Sequence, residues 1–368
     1  MFSILKETDC VILPGILCES EASVIYEPTP DKAIMTHPLE QQLDQMITGY
    51  WTSQAIYAAA KLGIADLLKD GPRSVEQLAK DSLTDPDSLY RLLRALASIE
   101  IFSESSPRSF SLTPIAQRLR RDVEGSKRAL ALMTGEEQFQ AWGEIVYSIQ
   151  TGKTAFDKVF GKPIFDYLGD NPDKGQIFDD AMTGIHGRET GALLDAYDFS
   201  GTEILADIGG GNGSNIIAIM EANPAMKGIL FDLPHVVERA KERVFNVGLS
   251  GRCRLECGDF FESVPSGADT YILRHIIHDW DDEKSLAILR NCHSVIPANG
   301  KLLIIESVIP QGNQRFAGKF LDLVMLLIPG GKERTKSEYN ALLEQAGFEL
   351  RQIVPTNSEL SVLECARR

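Results

Sequence analysis

The sequence has few cysteines, no long apolar run and fewer basic than acidic residues. Six cysteines are spread over 368 residues, and none forms a C-x-x-C pair. This spacing does not indicate a zinc or dithiol redox site, and a chain of this length does not depend on disulfides, so we expect buried thiols. No apolar run approaches the roughly 18 residues of a membrane-spanning helix. The stretch 10–18 is short and interrupted by Pro14, a poor signal-peptide pattern, so the cytoplasm is the expected location.

The charge balance excludes further classes of partner. The chain has 37 Lys and Arg against 52 Asp and Glu, a formal net charge of −15. Nucleic acids and anionic membrane surfaces are bound through clusters of basic side chains, so neither is an expected partner. Hydrophobic residues at 43% and charged residues at 24% are ordinary for a globular protein. These values predict a soluble protein of several domains, most simply an enzyme.

The N-terminal part predicts an extension followed by a winged helix. Residues 1–35 have no regular periodicity, which indicates an extension, with disorder as one interpretation and Met35 as an alternative start. Within residues 36–124, Ser74 and Gln77 predict a capping box, and Asp85 before a proline predicts the start of a second helix. Two short strands around 105–107 complete the winged-helix pattern.

A winged helix raises the alternative of a DNA-binding regulator that responds to a metabolite. Residues 36–124 contain 10 basic and 12 acidic side chains, whereas a DNA-binding domain needs a basic surface. Leu89, Leu92 and Leu93 lie on one stripe of the second helix and suit packing or contact with a partner subunit. We therefore expect a dimerisation domain and a homodimer.

The C-terminal part predicts a doubly wound α/β domain. Residues 125–197 are read as a helical connector that contributes to the substrate pocket, and residues 198–368 alternate strands with helices. This alternation is typical of a mostly parallel sheet with helices on both faces. Two late segments predict a closing strand pair. The seven predicted strands are 204–208, 227–231, 253–256, 270–273, 302–305, 348–354 and 361–365.

A glycine-rich turn after the first of these strands predicts a nucleotide-like ligand. Asp207, Gly209, Gly211 and Gly213 alternate with other residues, and a helix follows, which brings bare backbone close to a cofactor. Asp207 would repel a pyrophosphate but suits an ammonium group. The same pattern is characteristic of methyltransferases that use S-adenosylmethionine.

Acidic residues after the next two strands agree with this ligand. Asp232 follows Gly213 by 19 residues, where a carboxylate can accept from both ribose hydroxyls. Asp259 and Phe260 follow the third strand, where the carboxylate can accept from an adenine amino group and the ring can pack on the base.

Five motifs occur in order along the chain: Leu205-Ala-Asp-Ile-Gly-Gly-Gly-Asn-Gly213, Phe231-Asp-Leu-Pro234, Gly258-Asp-Phe260, His278-Asp-Trp280 and Gly330-Gly-Lys-Glu-Arg-Thr335. Together they closely resemble the small-molecule O-methyltransferases of the plant phenolic and acetylserotonin type, which include bacterial members acting on secondary metabolites. The resemblance covers residues 36–368. It implies a Rossmann-like class I methyltransferase domain behind an N-terminal winged-helix dimerisation domain.

The resemblance also implies roles for individual residues. His278 is the general base, and Glu306 and Glu333 flank and orient its imidazole. The cofactor residues are Asp207, Gly209, Gly211, Asp232, Leu233, Asp259, Phe260 and Arg274. Arg274 departs from the family, since plant members usually have lysine there to contact the cofactor's tail, and a guanidinium differs in geometry. The implied acceptor contacts are Met182, Met325 and Trp142.

The residues support part of this independently. Glu306 interrupts the apolar strand around 302–309, where a carboxylate is costly unless it is paired or lies at the ligand-binding edge. Each residue considered alone also has a non-catalytic interpretation. His278 could cap a helix, and Glu333 could be a surface charge beside Lys332 and Arg334. The nearby acids Asp279, Asp281, Asp282 and Glu283 suit the start of a helix better than a magnesium site.

These observations predict an S-adenosylmethionine-dependent O-methyltransferase that needs no metal and methylates a phenolic or enolic hydroxyl of a small secondary metabolite. One alternative within the fold is a methyltransferase-like hydroxylase or decarboxylase that binds the same cofactor. The presence of His278, Glu306 and Glu333 argues against it. The acceptor itself cannot be identified from the sequence.

Overall fold

The computed structural model describes residues 38–368, so the predicted extension 1–35 and the alternative start Met35 lie outside the described residues. Helix α1 (Pro38–Ile47) belongs to a unit separate from residues 49–368. Among the described helices, none has both the length and the apolar character needed to cross a membrane.

Side-chain caps mark the starts of two helices in the winged helix. Ser74 and Gln77 form the predicted capping box, and Asp85 accepts a hydrogen bond from the backbone of Ser88. The three strands pair antiparallel in the order β1-β3-β2. The elements are α2 (Gly49–Lys61), α3 (Ile64–Leu67), β1 (Arg73–Ser74), α4 (Val75–Ser82), α5 (Pro86–Ala97), β2 (Phe102–Ser106) and β3 (Ser109–Leu112).

The leucine stripe of α5 packs inside this domain. Leu89, Leu93 and Leu96 are buried in one cluster with residues of α3, α4 and β3, and Leu92 is partly buried against it. Of the two roles expected for these leucines, the structure therefore assigns Leu89 and Leu93 to packing within the domain.

A run of helices connects the winged helix to the sheet domain. Three residues mark boundaries between these helices: Gly152 has a left-handed backbone conformation, and Pro163 and Asn171 lie directly before new helices. The last of them is 25 residues long. The helices are α6 (Arg128–Gly135), α7 (Glu137–Trp142), α8 (Ile145–Thr151), α9 (Ala155–Phe160), α10 (Ile164–Asp170) and α11 (Pro172–Ala196).

The C-terminal domain is built on a mixed sheet of eight strands. Its order is β10-β11-β8-β7-β4-β5-β6, and β9 pairs with β8. Strands β4 to β9 pair in parallel, and β10 and β11 are antiparallel. The strands are β4 (Ile204–Ile208), β5 (Lys227–Asp232), β6 (Cys253–Cys257), β7 (Thr270–Arg274), β8 (Lys301–Ile309), β9 (Arg334–Thr335), β10 (Phe348–Pro355) and β11 (Leu360–Arg367).

Helices cover both faces of this sheet, as predicted. Alternate residues of β7 face opposite sides: Tyr271 and Leu273 belong to one apolar cluster, and Ile272 belongs to the other. The first cluster includes residues of α14 and α16, and the second includes residues of α11, α12 and α13. The helices that follow α11 in this domain are α12 (Ser214–Ala222), α13 (Pro234–Asn246), α14 (Asp282–Val295), α15 (Gly318–Leu327) and α16 (Lys336–Gln345).

The cysteines follow the prediction with one exception. Cys253, Cys292 and Cys365 are buried free thiols, but Cys257 at the end of β6 is exposed. The expectation that all are buried is therefore wrong for Cys257, because it is the last residue of its strand, where the chain leaves the sheet. Cys10 and Cys18 lie outside the described residues.

Candidate active site

The candidate site lies where the strand order reverses. Strand β4 has β5 on one side and β7 on the other, and the chain leaves all three at the same edge of the sheet. The loops that diverge from such a point form a crevice, which is where ligands bind in open α/β sheets. The glycine loop, Asp232 and the residues before His278 all follow strands at this edge.

The glycine loop is folded as a nucleotide-binding turn. Gly209, Gly211 and Gly213 have φ values of 70°, 59° and 79°, which side-chain-bearing residues rarely adopt. A Cβ on Gly209 would lie 2.4 Å from Cδ1 of Ile276, so the loop passes directly beneath that side chain. A Cβ on Gly211 would meet nothing within 4 Å, so its backbone faces open space.

Asp232 is fixed at the end of β5 by the backbone around it. Its Oδ2 accepts from the N–H of Gly211 at 2.8 Å, and its Oδ1 accepts from the N–H of Leu233 at 2.7 Å. Burial nevertheless raises the pKa of Asp232 above its usual value. A ligand that donates hydrogen bonds to this carboxylate would offset that cost.

Asp207 is a buried carboxylate that accepts a hydrogen bond from a neutral amide. It is 2% exposed, and Nδ2 of Asn215 donates to its Oδ2 at 3.4 Å. Burial raises the pKa of Asp207 to about 6, against the opposing effects of Asn215 and Arg274. A site of this kind favours a positively charged ligand.

Arg274 links this loop to the connector. Its Nη1 donates to Oδ1 of Asn215 at 2.9 Å and to Oγ1 of Thr190 at 2.7 Å, and its Nη2 donates to Oε2 of Glu189 at 3.0 Å. Burial lowers the pKa of Arg274, although Glu189 and Asp207 oppose this. Sequence reasoning missed Asn215, Glu189 and Thr190, because no motif connects α11 with β7.

The Asp259 and Phe260 pair lies beside the glycine loop. Oδ1 of Asp259 accepts from the backbone N–H of Phe261 at 2.8 Å, which orients the carboxylate. Cε1 of Phe260 would lie 3.5 Å from a Cβ on Gly209, so its ring borders the loop. The structure thus brings together the residues predicted to hold the cofactor's nucleoside part.

These features fit S-adenosylmethionine. The site offers a bare glycine backbone facing open space, a carboxylate at the end of β5 and an aromatic ring beside the loop. Asp207 supplies a buried negative charge suited to the cofactor's ammonium group, and Arg274 supplies a guanidinium. A pyrophosphate would not match this charge, because Asp207 lies at the head of the loop.

His278 and Glu333 form a buried pair at the neighbouring strand end. Nδ1 of His278 lies 2.7 Å from Oε1 of Glu333, and the exposures of the two residues are 6% and 3%. A carboxylate only accepts, so the Nδ1–H donates to it, and Nε2 keeps its lone pair when the ring is neutral. The alternative that Glu333 is a surface charge is wrong, because β9 places it beneath the loop that carries His278.

The hydrogen bonds of Glu306 go to backbone N–H groups and a tyrosine hydroxyl rather than to the imidazole. Its Oε1 accepts from the N–H groups of Ile276, Ile277 and His278 at 3.1, 2.7 and 3.2 Å. Its Oε2 accepts from the hydroxyl of Tyr339 at 2.6 Å. The hydrogen bonds of Glu306 therefore hold the turn before His278, and Glu333 contacts the imidazole directly. That the two carboxylates orient the ring stays a prediction. Sequence reasoning missed Tyr339, which follows Glu333 by six residues.

The surrounding carboxylates favour the charged form of His278. Burial alone would lower its pKa, but Asp279, Glu333 and Glu306 outweigh burial and raise the pKa of His278 to about 10. Oδ1 of Asp279 lies 3.6 Å from Nε2 of His278. Burial in turn raises the pKa of Asp279 to about 7.

The acidic run after His278 divides into two groups. Asp281 caps α14 by accepting from the backbone N–H of Lys284 at 2.8 Å, and Asp282 and Glu283 lie in its first turn, as predicted. Asp279 departs from that interpretation, since it lies outside the helix and faces the imidazole of His278.

The predicted acceptor contacts lie on three different helices. Met182 is half-buried on α11, Met325 is buried on α15, and Trp142 ends α7 and packs against a cluster that includes Leu327 and Ile328. Helices α7 and α15 therefore share one apolar cluster. The role of these side chains in binding an acceptor stays a prediction.

Comparison with known families supports the resemblance. The O-methyltransferase domain profile matches residues 142–349, which is more than half of the chain. The O-methyltransferase dimerisation domain profile matches residues 44–122.

Curated relatives cover nearly the same length. A phenazine O-methyltransferase of Lysobacter antibioticus is 46% identical over 327 residues, which span 89% of this chain and 96% of the relative. A phenazine-1-carboxylate N-methyltransferase of Pseudomonas aeruginosa is 33% identical over 329 residues, or 89% of this chain and 97% of that protein.

Solved structures agree with this relationship. The crystal structure of LaPhzM superposes with a TM-score of 0.88 at 46% identity, covering 90% of this chain and all 100% of that one. NcsB1 from neocarzinostatin biosynthesis, in complex with S-adenosylmethionine and 2-hydroxy-5-methyl naphthoic acid, gives a TM-score of 0.77 at 33% identity, with 86% and 96% covered. This chain belongs to the S-adenosylmethionine-dependent O-methyltransferase family whose members carry an N-terminal dimerisation domain.

Proposed function

We propose that this enzyme transfers a methyl group from S-adenosylmethionine to a phenolic or enolic hydroxyl of a planar small molecule, with His278 as general base. The observation that carries the proposal is the buried His278–Glu333 pair, which lies at the same sheet edge as the glycine loop. Relatives named for phenazine and naphthoic acid chemistry favour a hydroxylated fused-ring aromatic acceptor.

The pair supplies a proton acceptor of defined tautomer. Nδ1–H of His278 donates to Glu333, so the neutral ring presents Nε2 to the acceptor hydroxyl. A phenol near pKa 10 and an ordinary imidazole near 6.5 differ by about 5 kcal/mol in proton affinity. The carboxylates around His278 raise its pKa towards that of the phenol and so reduce this difference.

The cofactor would be held by the residues predicted for it. Bound S-adenosylmethionine supplies an electrophilic methyl group. We assign Asp207 to its ammonium group, Asp232 to the ribose hydroxyls, Asp259 and Phe260 to adenine, and Arg274 to the carboxylate. Gly209, Gly211 and Leu233 would supply backbone around it. Burial and charge at Asp207 and Asp232 support these assignments.

We further propose that no metal takes part. His278, Glu306 and Glu333 do offer three potential ligand atoms within 4.8 Å of one another. However, both oxygens of Glu306 already accept hydrogen bonds, three from backbone N–H groups and one from Tyr339. Metal ligation by Glu306 would leave those buried donors without partners, which is costly.

N-methylation of a ring nitrogen is a second candidate, favoured by the Pseudomonas relative. A ring nitrogen attacks through its own lone pair and has no proton to lose, so a base is not required. The buried pair at His278 favours the hydroxyl acceptor for this chain. A hydroxylase or decarboxylase and a winged-helix regulator are less consistent with this site.

The proposed organisation is a homodimer in which residues 36–124 join two subunits. The dimerisation profile over residues 44–122 supports this assignment. We retain 125–197 as the helical connector and 198–368 as the catalytic domain, with Met182, Met325 and Trp142 lining the acceptor pocket.

A methyl-transfer screen tests the proposal. The enzyme and S-adenosylmethionine carrying a labelled methyl group are incubated with hydroxylated phenazines, naphthoic acids and their O-blocked analogues, with and without EDTA. We expect label on the free hydroxyls only and the same rate with EDTA. His278→Ala should lower the rate by about 10²- to 10⁴-fold, whereas His293→Ala, whose ring packs on Phe348, should not change it. Equal rates for His278→Ala and the unmodified enzyme would contradict the base assignment.

A further inference from the structure

Arg334 is the largest fully buried side chain of the described residues, with an exposure of 0%. It follows Glu333 directly and lies on β9. A buried guanidinium is stable only when its five N–H groups have acceptors, so its partners show which part of the fold it holds.

Those partners surround the loop that carries His278. Nη1 of Arg334 donates to the carbonyl of Ile277 at 3.0 Å, and Nη2 donates to the carbonyl of Trp280 at 3.0 Å. These two carbonyls lie immediately before His278 and two residues after it. One side chain therefore binds both ends of the segment that contains the proposed base and Asp279.

The same guanidinium anchors this segment to α14. Nε and Nη2 of Arg334 donate to Oδ1 of Asp282 at 3.1 and 2.8 Å, and Nη2 donates to Oγ of Ser285 at 3.1 Å. Oγ of Ser285 also lies 3.3 Å from the carbonyls of Ile277 and Trp280. The loop, the helix and β9 thus share one hydrogen-bonded network.

The residues before Arg334 contact the same loop. The backbone N–H of Lys332 donates to the carbonyl of His278 at 2.9 Å. A Cβ on Gly331 would lie 2.0 Å from that carbonyl oxygen, so the two backbones are in direct contact. Three consecutive residues therefore hold His278 and its surroundings. Lys332 binds the carbonyl of His278, Glu333 binds its imidazole, and Arg334 binds the carbonyls of the neighbouring residues.

We propose that Arg334 is a positioning residue, which holds the His278 loop against Glu333 so that Nε2 faces the acceptor. This inference rests on the proposed function of His278 as base. Lysine has one point charge and cannot bind both carbonyls and Asp282 in the fixed geometry of a guanidinium. A displaced imidazole would slow the chemical step while leaving the glycine loop intact.

The first test compares Arg334→Lys with a matched arginine outside the site. Arg252 also binds backbone carbonyls, including that of Met226 at 2.8 Å, so Arg252→Lys is the control. We expect Arg334→Lys to lower kcat by about 10- to 100-fold with KM and cofactor Kd changed less than about twofold. Arg252→Lys should lower Tm without changing kcat. Equal kcat values for Arg334→Lys and the unmodified enzyme would overturn the proposal.

A double-mutant cycle tests whether Arg334 acts through the pair. If it does, kcat of the double variant Glu333→Gln/Arg334→Lys should be within about twofold of kcat of the slower single variant. Independent effects would instead multiply, and a kcat reduced by the product of the two single effects would overturn the proposal. Should Arg334→Lys fail to fold, Ser285→Ala removes one shared partner and should lower kcat about 3- to 10-fold; an unchanged kcat there would equally overturn it.

Titration of the histidines separates this inference from the proposed function. In protein labelled at histidine Cε1, NMR follows the imidazole of His278 among six histidines. We expect Arg334→Lys to shift the His278 titration whether or not His278 is the base. Unchanged turnover with a shifted titration would overturn the proposal by refuting the base assignment on which it rests. Unchanged turnover with an unchanged titration would refute the positioning role itself.

Discussion

Replacing Glu333 by glutamine tests the electrostatics of the site most directly. The amide keeps the shape of the side chain and can still accept from Nδ1 of His278, but it removes one of three carboxylates around the ring. The neutral imidazole is the active base, so the rate rises as the pH passes upward through the pKa of His278. With that pKa raised to about 10, the rising part of the profile should lie above neutral pH. A nearby sulfonium cation lowers the value in the complex.

The expected magnitude follows from the hydrogen bond that is weakened. A hydrogen bond to a charged partner contributes about 1.5–3 kcal/mol, and each 1.36 kcal/mol changes a pKa by one. Glu333→Gln should therefore move the rising part of the profile down by about 1–2 pH units. A weaker base also removes the proton less effectively, so the plateau kcat should fall by roughly 3- to 10-fold.

Initial rates of labelled methyl transfer between pH 6 and 10.5 provide the measurement. Glu364→Gln is the control, because Glu364 is a half-buried carboxylate that accepts from the hydroxyl of Tyr197 at 2.6 Å, outside the candidate site. Its profile should match that of the unmodified enzyme. A Glu333→Gln profile that coincides with the unmodified one would show that the pair does not set the pKa of the base.

Two further predictions follow from the geometry of the site and one from the dimerisation profile. Asp207→Asn should raise the free energy of unfolding at pH 8 by up to about 3 kcal/mol, because the pKa of Asp207 in the folded protein, about 6, exceeds the ordinary 3.8. This gain should vanish below about pH 4, where the carboxyl is protonated in the folded and the unfolded protein. Calorimetry should also show that the variant binds the cofactor more weakly. Gly331→Ala should destabilise the fold by about 1–3 kcal/mol in urea unfolding and abolish turnover, because the new Cβ would overlap the carbonyl of His278. Gly251→Ala is the control: its Cβ would meet no atom within 4 Å, so stability and turnover should both stay unchanged. Light scattering should give twice the chain mass of 40.6 kDa, and a monomer would contradict the assigned dimer.

The fold was predictable because local signals and the sheet pattern agreed. The caps at Ser74 and Asp85 are short-range hydrogen bonds, so residue types three apart suffice to locate them. Strands β4, β5, β7 and β8 are largely apolar runs buried on both faces. The first five predicted segments all coincide with strands of the parallel part of the sheet. Such features depend little on where distant elements pack.

For the site, the sequence predicted three central residues but not the contacts that their side chains make. The ordered motifs named His278, Glu306 and Glu333, and the structure brings their side chains together. Which atoms each carboxylate binds depends on the register between β7 and β8, where Arg274 lies opposite Ile305. That register places Glu306 level with the peptides that leave β7, which sequence spacing alone does not reveal.

The contrast between the two glutamates has a physical reason. Glu306 lies within β8, whose backbone is fixed by β7 and β11 on either side, so its carboxylate reaches the peptides that follow the end of β7. Glu333 directly precedes the two-residue strand β9, which pairs with the end of β8, and its carboxylate contacts Nδ1 of the imidazole. One carboxylate thus holds the turn and the other holds the ring. Charge at both positions also raises the pKa of His278, so the groups that position the base strengthen it as well.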